Sequence, residues 1–465
     1  MNKRLLIIRL DAIGDYILFR NFIKILATHR KYKEYKIDML CHKSWYELSR
    51  ELDKKYINNF FSFDKEKYIS DNWYKISLEN RLNLQKYNIL LHPTYSRTFL
   101  IDTLISKINA KVKIGNSGDL SNISFKDKNI SDKYYTRLIE SEDDYLFEFN
   151  RNKIFFEKLL NKNLKINKTS IKYKNLIKLP FSNYIVFVIS ASVSKRKWCI
   201  LNYVALAKRL YNLGYKIVVC GGFSELIEAK EFKSIFGNSF INLVGKTSLI
   251  DILSVLYYSE IVISNDTGLA HISIALKKQT YIISNGNHFG RFVPYPEYFN
   301  NYVQCFFPFK YHENKIYFLG KYYKGSDLDI NEIKIDKIFN SLKLLKNNSN
   351  CNYKLNYELF NLIEHSNETI QFSRQFNKFY KQINNLNDNY VLYGNGNIGK
   401  TIKALVPHKI IGYVDIADEN YHPENLKNMQ FDKIFISVLG REEEIIKYLT
   451  DDLEINRNKI ITLEL

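Results

Sequence analysis

Apolar and polar positions follow a regular pattern through the first part of the chain. Short apolar runs of strand length occur at residues 5–10, 35–40, 87–93 and 110–115. Apolar residues at helical spacing occur between them, at residues 18–31 and 97–109. Strands that alternate with amphipathic helices predict a parallel sheet built from crossover units. The stretch 117–137 has no clear period, so we predict a loop there.

A second series of the same kind begins near Pro180. Its predicted strands lie at residues 183–190, 215–222, 260–266 and 279–286. Its predicted helices lie at residues 201–214, 248–259 and 268–278. Two doubly wound units in succession predict two α/β halves that face each other across a cleft. Ligands of such sheets bind at the carboxyl ends of the strands.

A third and smaller α/β unit follows a polar, asparagine-rich segment. Its strand patterns lie within residues 389–393, 409–415 and 432–438. We therefore expect four regions, namely an N-terminal Rossmann-like domain (1–175), a second Rossmann-like domain (176–345), a linker or helical region (346–385) and a small Rossmann-like module (386–465). No short repeat of the solenoid type is present, so the repetition is at the level of domains.

The composition fits a globular protein with reduced thiols. Of 465 residues, 46% are hydrophobic and 25% are charged. The five cysteines are scattered and form no CxxC pair, which argues for a cytoplasmic protein without disulfides or a zinc site. The sequence has no run of about 18 apolar residues, so we predict no membrane span. Lysine is spread through asparagine- and isoleucine-rich sequence, so the net charge of +19 reflects either compositional bias, or anionic substrates and an anionic membrane surface. No nucleic-acid-binding module is recognisable.

The segment SNDTGLAHISIAL, residues 264–276, holds the strongest chemical signal. A predicted strand ends in Asp266, and a helix starts at once with Thr267 and Gly268. Free N–H groups at a helix start attract an anion, and Gly268 allows a diphosphate to approach the backbone. His271 falls in the first turn, within reach of the same anion. The alternative is that Asp266 or Thr267 only caps the helix.

Two further segments follow predicted strand ends in the second domain. SASVSKRKWCI, residues 190–200, places Lys195, Arg196 and Lys197 where they could neutralise a phosphate, or where they form a solvated charge run. VVCGGFSE, residues 218–225, ends in a glycine pair with Glu225 close behind, where a carboxylate could accept hydrogen bonds from a ribose. An ordinary turn is the alternative for this second segment.

Two glycine-containing loops remain. The loop at 285–296 carries His288 and Arg291, which could lie over a nucleotide base or a leaving group, or could simply pack on the surface. YGNGNIGK, residues 393–400, matches GxGxxG through Gly394, Gly396 and Gly399. Asp415, at the end of the next predicted strand, lies sixteen residues after Gly399. This context is the one that a dinucleotide fingerprint requires, so an NAD site in the third module is one interpretation of the segment.

The first strand is followed by RLDAIGDYIL, residues 9–18, which places Asp15 at the junction of a strand and a helix. Helix capping is the simple explanation, and a catalytic base facing the cleft is the other. Asp11 is a second acid close by, so the choice of base is not automatic. The chain has no HExxH, P-loop or GxSxG motif, so cations and helix N-termini are expected to hold a diphosphate without a metal ion.

Taken in order, these segments resemble glycosyltransferase family 9, the heptosyltransferases. RLDAIGDYIL is similar to the family's N-terminal Gly-Asp motif, SKRKW to its basic motif with tryptophan, and NLVGKTSLIDIL with SNDTGLAHISIAL to its most specific block. The resemblance covers roughly residues 1–340. It implies a GT-B fold, with two facing Rossmann-like domains, and the transfer of a heptose or related sugar from a nucleotide-diphosphate donor, with inversion and without a metal.

The resemblance also implies roles for individual residues. Asp15 would be the general base. Donor phosphates would be bound by Lys195 or Arg196 and by Asp266, Thr267, Gly268 and His271. Gly222 and Glu225 would hold the nucleoside. Further cleft or acceptor contacts would come from Gly14, Arg97, His288 and Arg291. Cys199 stands after Trp198 where the family's basic motif usually has a proline, so the cation that meets the phosphate stays open.

The resemblance predicts an enzyme that acts on a bacterial surface glycan, either a lipopolysaccharide, a lipooligosaccharide or a capsule. ADP-heptose is the favoured donor, and GDP- or UDP-linked sugars stay possible. A cytoplasmic protein that contacts the inner face of the membrane would suit the positive charge. The alternatives are an NAD-dependent sugar-nucleotide oxidoreductase or epimerase, and a sugar-nucleotide binding protein without catalysis.

Overall fold

The computed structural model of the protein describes residues 3–141, 145–191, 193–299, 302–309, 315–343, 389–394, 396, 399, 403, 410–416, 418–438 and 441–462. The chain divides into two compact units, Met1–Cys351 and Asn352–Leu465. The predicted linker at 346–385 lies outside the described residues. The proposed domain boundaries therefore stay a prediction.

The first unit begins with a six-stranded parallel sheet. Its strands are β1 (Arg4–Arg9), β2 (Lys36–His42), β3 (Asn59–Phe63), β4 (Tyr87–His92), β5 (Ala110–Asn116) and β6 (Arg137–Ile139). Their order is β3-β2-β1-β4-β5-β6, which is that of a dinucleotide-binding fold. The helices are α1 (Ile13–Phe19), α2 (Asn21–Thr28), α3 (Tyr46–Asp53), α4 (Lys65–Ser70), α5 (Asn72–Asn83), α6 (Phe99–Lys107), α7 (Phe125–Ser131) and α8 (Glu148–Leu160).

A second six-stranded parallel sheet follows in the same unit. Its strands are β7 (Tyr184–Val188), β8 (Lys216–Cys220), β9 (Ile241–Asn242), β10 (Ile261–Asn265), β11 (Gln279–Ile283) and β12 (Val303–Phe306). The order β12-β11-β10-β7-β8-β9 repeats that of the first sheet. The helices are α9 (Ile200–Asn212), α10 (Leu226–Phe236), α11 (Asp251–Tyr258), α12 (Gly268–Ala275), α13 (Lys315–Tyr322) and α14 (Ile335–Lys343). We call residues 3–160 the first half and residues 184–343 the second half of this unit.

Burial on both faces explains why the central strands are continuous apolar runs. Leu5, Leu6, Ile7 and Ile8 of β1 are all fully buried, as expected for a parallel strand covered by helices on both sides. The four consecutive apolar residues therefore give no alternating pattern. The predicted α/β class with two Rossmann-like sheets is confirmed.

The two halves touch through the first turns of α1 and α12. A β-carbon at Gly14 would lie 2.7 Å from Cδ2 of His271, and one at Gly268 would lie 2.7 Å from Cβ of Ile13. Contacts this short are closer than van der Waals packing allows, so each glycine lets the opposite helix approach. The carboxyl ends of β1 and β10, which these helices follow, consequently face each other.

Several predictions from the pattern of apolar positions need correction. The stretch 117–137 is not only a loop, because it contains α7 and the first residue of β6. Ser124 caps α7 by accepting from the N–H of Asp127, and Ser131 at its end donates to buried Asp102. A helix of seven residues that is held by such local and tertiary bonds needs no long apolar period. The helix predicted at 18–31 is divided into α1 and α2.

The second unit contains a four-stranded parallel sheet. Its described strands are β13 (Tyr390–Tyr393), β14 (Ile410–Val414), β15 (Lys433–Ile436) and β16 (Ile460–Thr462), in the order β14-β13-β15-β16. The described helix α15 (Glu442–Lys447) follows β15. This order resembles the first four strands of a flavodoxin-like sheet, so the predicted third α/β module is confirmed as a fold.

Candidate functional site

Asp15 lies where β1 leads into α1, at the carboxyl edge of the first sheet. The cap residue of α1 is Ala12, and no described side chain caps this helix end. Asp15 therefore does not occupy the cap position, which removes the simple explanation of its place in the sequence. Its side chain is 14% exposed, so it can reach a substrate while it feels a mostly desolvated environment.

A buried guanidinium holds the acids around Asp15. Arg9 is fully buried, and its Nε donates to Oδ1 of Asp11 over 2.8 Å. Its Nη2 donates to Oε1 of Glu148 over 3.2 Å and lies 3.7 Å from Oδ1 of Asp15. Asp15 thus has the longest of the three contacts with Arg9. The two acids near the start of α1 differ in this respect, because Asp11 accepts a hydrogen bond from Arg9 whereas Asp15 lies 3.7 Å from it.

The surroundings of Asp15 raise the pKa of its carboxyl group. Burial, followed by the negative charges of Asp11 and Glu148, raises the pKa of Asp15 from 3.8 to about 8, while Arg9 and Arg291 oppose the shift. The pKa of Asp15 is thus closer to neutral pH than that of an ordinary carboxyl group, and general bases work best when their pKa lies near the working pH.

Arg291 brings the second half of the unit into this cluster. It follows β11, and its Nε donates to Oε2 of Glu148 over 3.1 Å. Its Nη1 donates to Oγ of Ser96 over 2.9 Å, and its carbonyl accepts from the N–H of Glu148 over 2.8 Å. Glu148, which is 1% exposed, therefore receives a guanidinium from each half. The predicted cleft residue Arg291 is found at the contact between the halves.

The start of α12 faces this cluster from the second half. Thr267 is the cap residue, and no described side chain caps the helix, so its first N–H groups are not taken by a cap. Asp266 lies 3.7 Å from Nε2 of His271, whose Nδ1 shares a 2.6 Å hydrogen bond with the hydroxyl of Tyr295. His271 contacts Gly14 of α1. Asp266, Thr267, Gly268 and His271 are thus brought together opposite the turn that carries Asp15.

The three cations of the basic segment differ in their surroundings. Lys197 forms ion pairs with Glu228 and, at 3.6 Å, with Glu225. Lys195 is exposed and Arg196 half-buried, and among the described residues neither forms an ion pair. These two side chains are consequently the ones whose charge is not already balanced. The sequence could not tell which cations these would be.

The loop after β11 places His288 between charges of both signs. Burial is the main cause that lowers the pKa of His288, with Arg196 and Arg291 adding to it and Asp266 opposing it. Its Nδ1 lies 3.2 Å from the carbonyl of Tyr323. His288, Arg196 and Asp266 therefore lie in one region of the second half.

The segment after β8 is more enclosed than a simple turn. Glu225 is 3% exposed, and its Oε2 accepts from the N–H of Gly222 over 2.9 Å. Its Oε1 accepts from Ser224 over 2.8 Å and lies 3.6 Å from Nζ of Lys197. Glu225 thus shapes the glycine turn and holds Lys197, while Gly222 stays exposed.

Arg97 does not lie where the sequence suggested. It is 1% exposed and forms ion pairs with Asp132 and, at 3.2 Å, with Asp102. Its guanidinium also stacks 4.9 Å above the ring of Tyr135. A guanidinium so enclosed stabilises the first half and does not offer its charge to an acceptor. The prediction of Arg97 as an acceptor contact therefore needs correction, because the apolar and acidic surroundings could not be read from the loop sequence.

Sequence reasoning missed Arg9, Glu148 and Tyr295. Arg9 is the last residue of β1 and the first residue of the segment RLDAIGDYIL, so its closeness to Asp11 in the sequence was a usable signal. Glu148 begins α8 after a segment without a motif, and its contact with Arg9 spans 139 positions. No local pattern could have pointed to Glu148.

In the second unit, the three glycines of GxGxxG have different surroundings. Gly394 has φ +104°, which favours glycine, and its N–H donates to the carbonyl of Val414 over 2.8 Å. A β-carbon at Gly399 would lie 2.2 Å from the carbonyl oxygen of Gly394. At Gly396, no described atom lies within 4 Å of such a β-carbon. The first and third glycines are thus required by the fold, and the second is not.

Two searches of the described residues bear on cofactors and membranes. No cluster of three histidine, cysteine, aspartate or glutamate side chains suited to a metal ion was found in that part of the chain. Within the same residues, no helix has the length and apolar character needed to cross a membrane. Independence of a metal stays a prediction.

Comparison with known proteins identifies one family domain in the chain. Residues 76–293 match the model of glycosyltransferase family 9 (heptosyltransferase). A search of curated proteins finds no significant match. The family match covers the first half from residue 76 onward and most of the second half, including the basic segment and the start of α12.

Solved structures show the same fold at low sequence identity. A family 9 glycosyltransferase from Veillonella parvula is 16% identical, with a TM-score of 0.56, and the match covers 74% of this chain and 98% of that one. The E. coli heptosyltransferase WaaC, solved with ADP, is 16% identical with a TM-score of 0.56, over 73% and 99% of the two chains. E. coli ADP-heptose LPS heptosyltransferase II is 14% identical with a TM-score of 0.55, over 74% and 98%.

These matches agree with the two Rossmann-like sheets, and the family match includes the segments SKRKW and SNDTGLAHISIAL but begins after RLDAIGDYIL. The relatives are covered almost to their full length, while the second unit of this chain lies beyond the family match. The chain therefore contains a glycosyltransferase family 9 domain, matched over residues 76–293, within a GT-B fold that is followed by an additional C-terminal module.

Proposed function

We propose that this glycosyltransferase transfers a heptose, or a related sugar, from a nucleotide-diphosphate donor to a bacterial surface glycan, with inversion and without a metal ion. The observation that carries the proposal is the contact of Gly14 with His271, which places Asp15 opposite the start of α12. A candidate base and a candidate diphosphate site therefore belong to opposite sides of one interface. This is the arrangement that a direct displacement between an acceptor and a donor needs.

In the proposed reaction, Asp15 takes the proton of an acceptor hydroxyl as its oxygen bonds to the anomeric carbon of the donor. The bond from that carbon to the diphosphate oxygen breaks, and the nucleoside diphosphate leaves with the electron pair. The first N–H groups of α12, together with Lys195 or Arg196, stabilise the added negative charge. Attack from the side opposite the leaving group inverts the anomeric configuration.

The donor is proposed to be ADP-heptose, with GDP- or UDP-linked sugars as alternatives. Solved relatives of similar fold were studied with ADP and with an ADP-heptose analogue, which supports the first choice. Gly222 and Glu225 are the proposed nucleoside contacts, since each carboxylate oxygen of Glu225 has a second lone pair for a ribose hydroxyl. The acceptor is proposed to be a lipopolysaccharide, a lipooligosaccharide or a capsular polysaccharide.

The test compares Asp15→Asn with the wild type for transfer from ADP-heptose and for binding of ADP. General-base catalysis contributes roughly 10²- to 10⁴-fold, so we expect kcat to fall by this factor while the ADP-induced rise in Tm persists. Asp11→Asn is the matched control, because Asp11 is the acid that Arg9 binds directly. Turnover near the wild-type rate in Asp15→Asn would remove Asp15 as the base. A chain that binds ADP and each donor, but transfers no sugar, would favour the binding protein instead.

Contact with the inner face of the cytoplasmic membrane is a further part of the proposal. A pocket of about 570 Å³ in the first half is lined by five basic side chains and no acidic one; the basic residues are His29, Arg30, Lys31, Arg137 and Lys158. It lies at the amino ends of the strands, since Arg137 begins β6, and so at the edge opposite the candidate site. Phosphate headgroups of anionic lipids have the complementary charge.

Vesicle sedimentation tests this surface. We expect the wild type to bind vesicles with phosphatidylglycerol but not those of phosphatidylcholine alone. Arg30→Glu with Lys31→Glu should abolish binding, whereas Lys107→Glu with Lys111→Glu, which makes the same change in net charge at exposed positions, should not. If both double variants lose binding equally, net charge and not the pocket explains it.

A nucleotide site in the second unit is a second candidate function. The observation that favours it is that Gly394 and Gly399 are required by the fold, while Gly396 has no described atom in the way of a β-carbon. In a dinucleotide fingerprint, the middle glycine lets the backbone approach the pyrophosphate. We expect NAD to stabilise the full chain in thermal-shift titration and Gly396→Val to abolish the effect. If NAD has no effect, the oxidoreductase alternative is excluded.

A further inference from the structure

One edge of the His271 ring faces the first half of the unit, and another edge faces the loop after β11. A β-carbon at Gly14 of α1 would lie 2.7 Å from Cδ2 of His271 and 3.2 Å from its Nε2. Nδ1 of the same ring shares a 2.6 Å hydrogen bond with the hydroxyl of Tyr295, and both side chains are buried. The two ring nitrogens therefore have different surroundings, and in the neutral ring only one of them carries a proton.

The direction of the hydrogen bond between Tyr295 and His271 follows from the partners of the hydroxyl. Among the described residues, His271 is the only hydrogen-bond partner of this hydroxyl. Burial, followed by the charge of Asp266, raises the pKa of Tyr295 well above its ordinary value of 10, so the hydroxyl keeps its proton. If Nδ1 donated to the oxygen, that buried proton would have no acceptor among those residues, which is unfavourable. The hydroxyl therefore donates to Nδ1, and the ring proton of neutral His271 lies on Nε2.

Nε2 of His271 lies beside the first turn of α12. Oδ1 of Asp266 is 3.7 Å away, which is beyond hydrogen-bond distance, and Asp266 directly precedes the cap residue Thr267. The described residues provide Nε2 with no hydrogen-bond partner, and no described side chain caps the first N–H groups of the helix. An N–H on Nε2 can consequently donate to the same anion as the helix start.

We propose that Tyr295 is a positioning residue of the donor site, whose hydroxyl fixes the ring of His271 with its proton on Nε2, so that this N–H donates to an oxygen of the donor diphosphate. The inference rests on the proposed role of His271 in donor binding. Tyr295 acts through His271 and not by contact with the donor. Without the hydroxyl, the ring can carry its proton on Nδ1, and a lone pair on Nε2 would then repel the diphosphate.

The variant Tyr295→Phe removes the hydroxyl and keeps the ring. The centroids of the Phe147 and Phe299 rings lie 5.0 and 4.9 Å from that of Tyr295, and these contacts do not involve the hydroxyl. Tyr184→Phe is the matched control, because its buried hydroxyl donates over 2.7 Å to the carbonyl of Val255, also in the second half. Both variants lose one buried hydrogen bond, but only Tyr295→Phe changes a partner of His271.

The experiment measures the proton position by NMR of the full chain labelled with ¹⁵N-histidine, at about pH 8.5, well above the ordinary pKa of histidine. The signals that His271→Gln removes identify the ring. We expect the proton on Nε2 in the wild type and in Tyr184→Phe, and a shift of both nitrogen signals towards a mixture of tautomers in Tyr295→Phe. In calorimetry, the Kd of ADP should rise about 2- to 10-fold in Tyr295→Phe, the range for loss of one hydrogen bond, and stay unchanged in Tyr184→Phe.

A proton on Nδ1 in the wild type, or an unchanged tautomer or ADP affinity in Tyr295→Phe, would overturn the inference. If Tyr295→Phe does not fold, addition of ADP to the wild type decides, because it should shift the Nε2 signal of His271 more than the Nδ1 signal. No such shift would contradict the contact with the diphosphate. The proposed function fails separately, through wild-type turnover of Asp15→Asn, which leaves the proton position and ADP affinity of Tyr295→Phe untouched.

Discussion

Replacement of Asp15 by asparagine should make the protein more stable at high pH, even as it removes the proposed base. The carboxyl group has a pKa of about 8 in the folded chain and an ordinary value of 3.8. Below pH 3.8 it is neutral in both the folded and the unfolded states. Between these values the unfolded chain ionises while the folded chain keeps its proton, so stability falls as the pH rises, and above pH 8 the loss is complete.

The size of this loss follows from the pKa difference. A difference of about four units corresponds to about 6 kcal/mol at roughly 1.4 kcal/mol per unit, which is the upper limit of the gain from Asp15→Asn. Water reaches the side chain through its 14% exposed surface and weakens the effect of burial. We therefore expect a measured gain of about 1–3 kcal/mol, within the usual range for a single substitution.

Thermal unfolding of wild type and Asp15→Asn at pH 5 and pH 9 measures this gain. For a domain of 150–250 residues, each kcal/mol shifts Tm by about 2–4 °C, so the expected difference at pH 9 is resolvable. At pH 5 the difference should be much smaller. Asp336→Asn is the matched control, because Asp336 also lies in the first turn of a helix but its side chain is 71% exposed. A gain that is equal at both pH values, or a loss at pH 9, would refute the reasoning.

Three further predictions concern packing, a buried charge and the donor phosphates. Gly268→Ala should lower the free energy of unfolding by about 1–3 kcal/mol and reduce activity, because its β-carbon would overlap Ile13 of α1. Denaturant unfolding measures the first effect and a transfer assay the second. Arg97→Ala should lower the free energy of unfolding by about 3–5 kcal/mol, because it leaves Asp102 buried without its cation. The folded fraction of this variant should keep the wild-type KM for the acceptor, since Arg97 does not contact it. Arg196→Ala should weaken ADP binding in calorimetry more than Lys197→Ala does, and the reverse order would assign the phosphate contact to Lys197.

The sequence was sufficient for the sheets wherever a strand is buried on both faces. β1, β7 and β10 were found because three to five consecutive apolar residues have few alternatives in an α/β chain. β3, β6, β9, β12 and β16 were missed, since they are short or carry polar residues at the sheet edge. α7 was missed because side-chain bonds of Ser124 and Ser131 hold it, and a seven-residue helix shows too little of a period.

Each motif found in the sequence consists of residues that are adjacent along the chain, and in the structure those residues stay close together. Asp15 at the start of α1, and Asp266 to His271 at the start of α12, are set by a strand end and a helix start within a few residues. Such chemistry can be read from adjacent positions. The role of Arg97 could not, because its partners Asp102 and Asp132 become neighbours only when the first half folds.

By itself, the sequence determined the α/β class, the two successive halves, the third module and the positions of the candidate base and phosphate site, because periodicity and helix-start chemistry act over a few residues. Only the tertiary structure decided which charges surround Asp15. Arg9, Glu148 and Arg291 come from three distant segments, and their contacts depend on how α8 and the loop after β11 pack against β1. The ionisation of a buried carboxyl depends on every charge near it in space, and that set is a property of the packed fold rather than of any stretch of sequence.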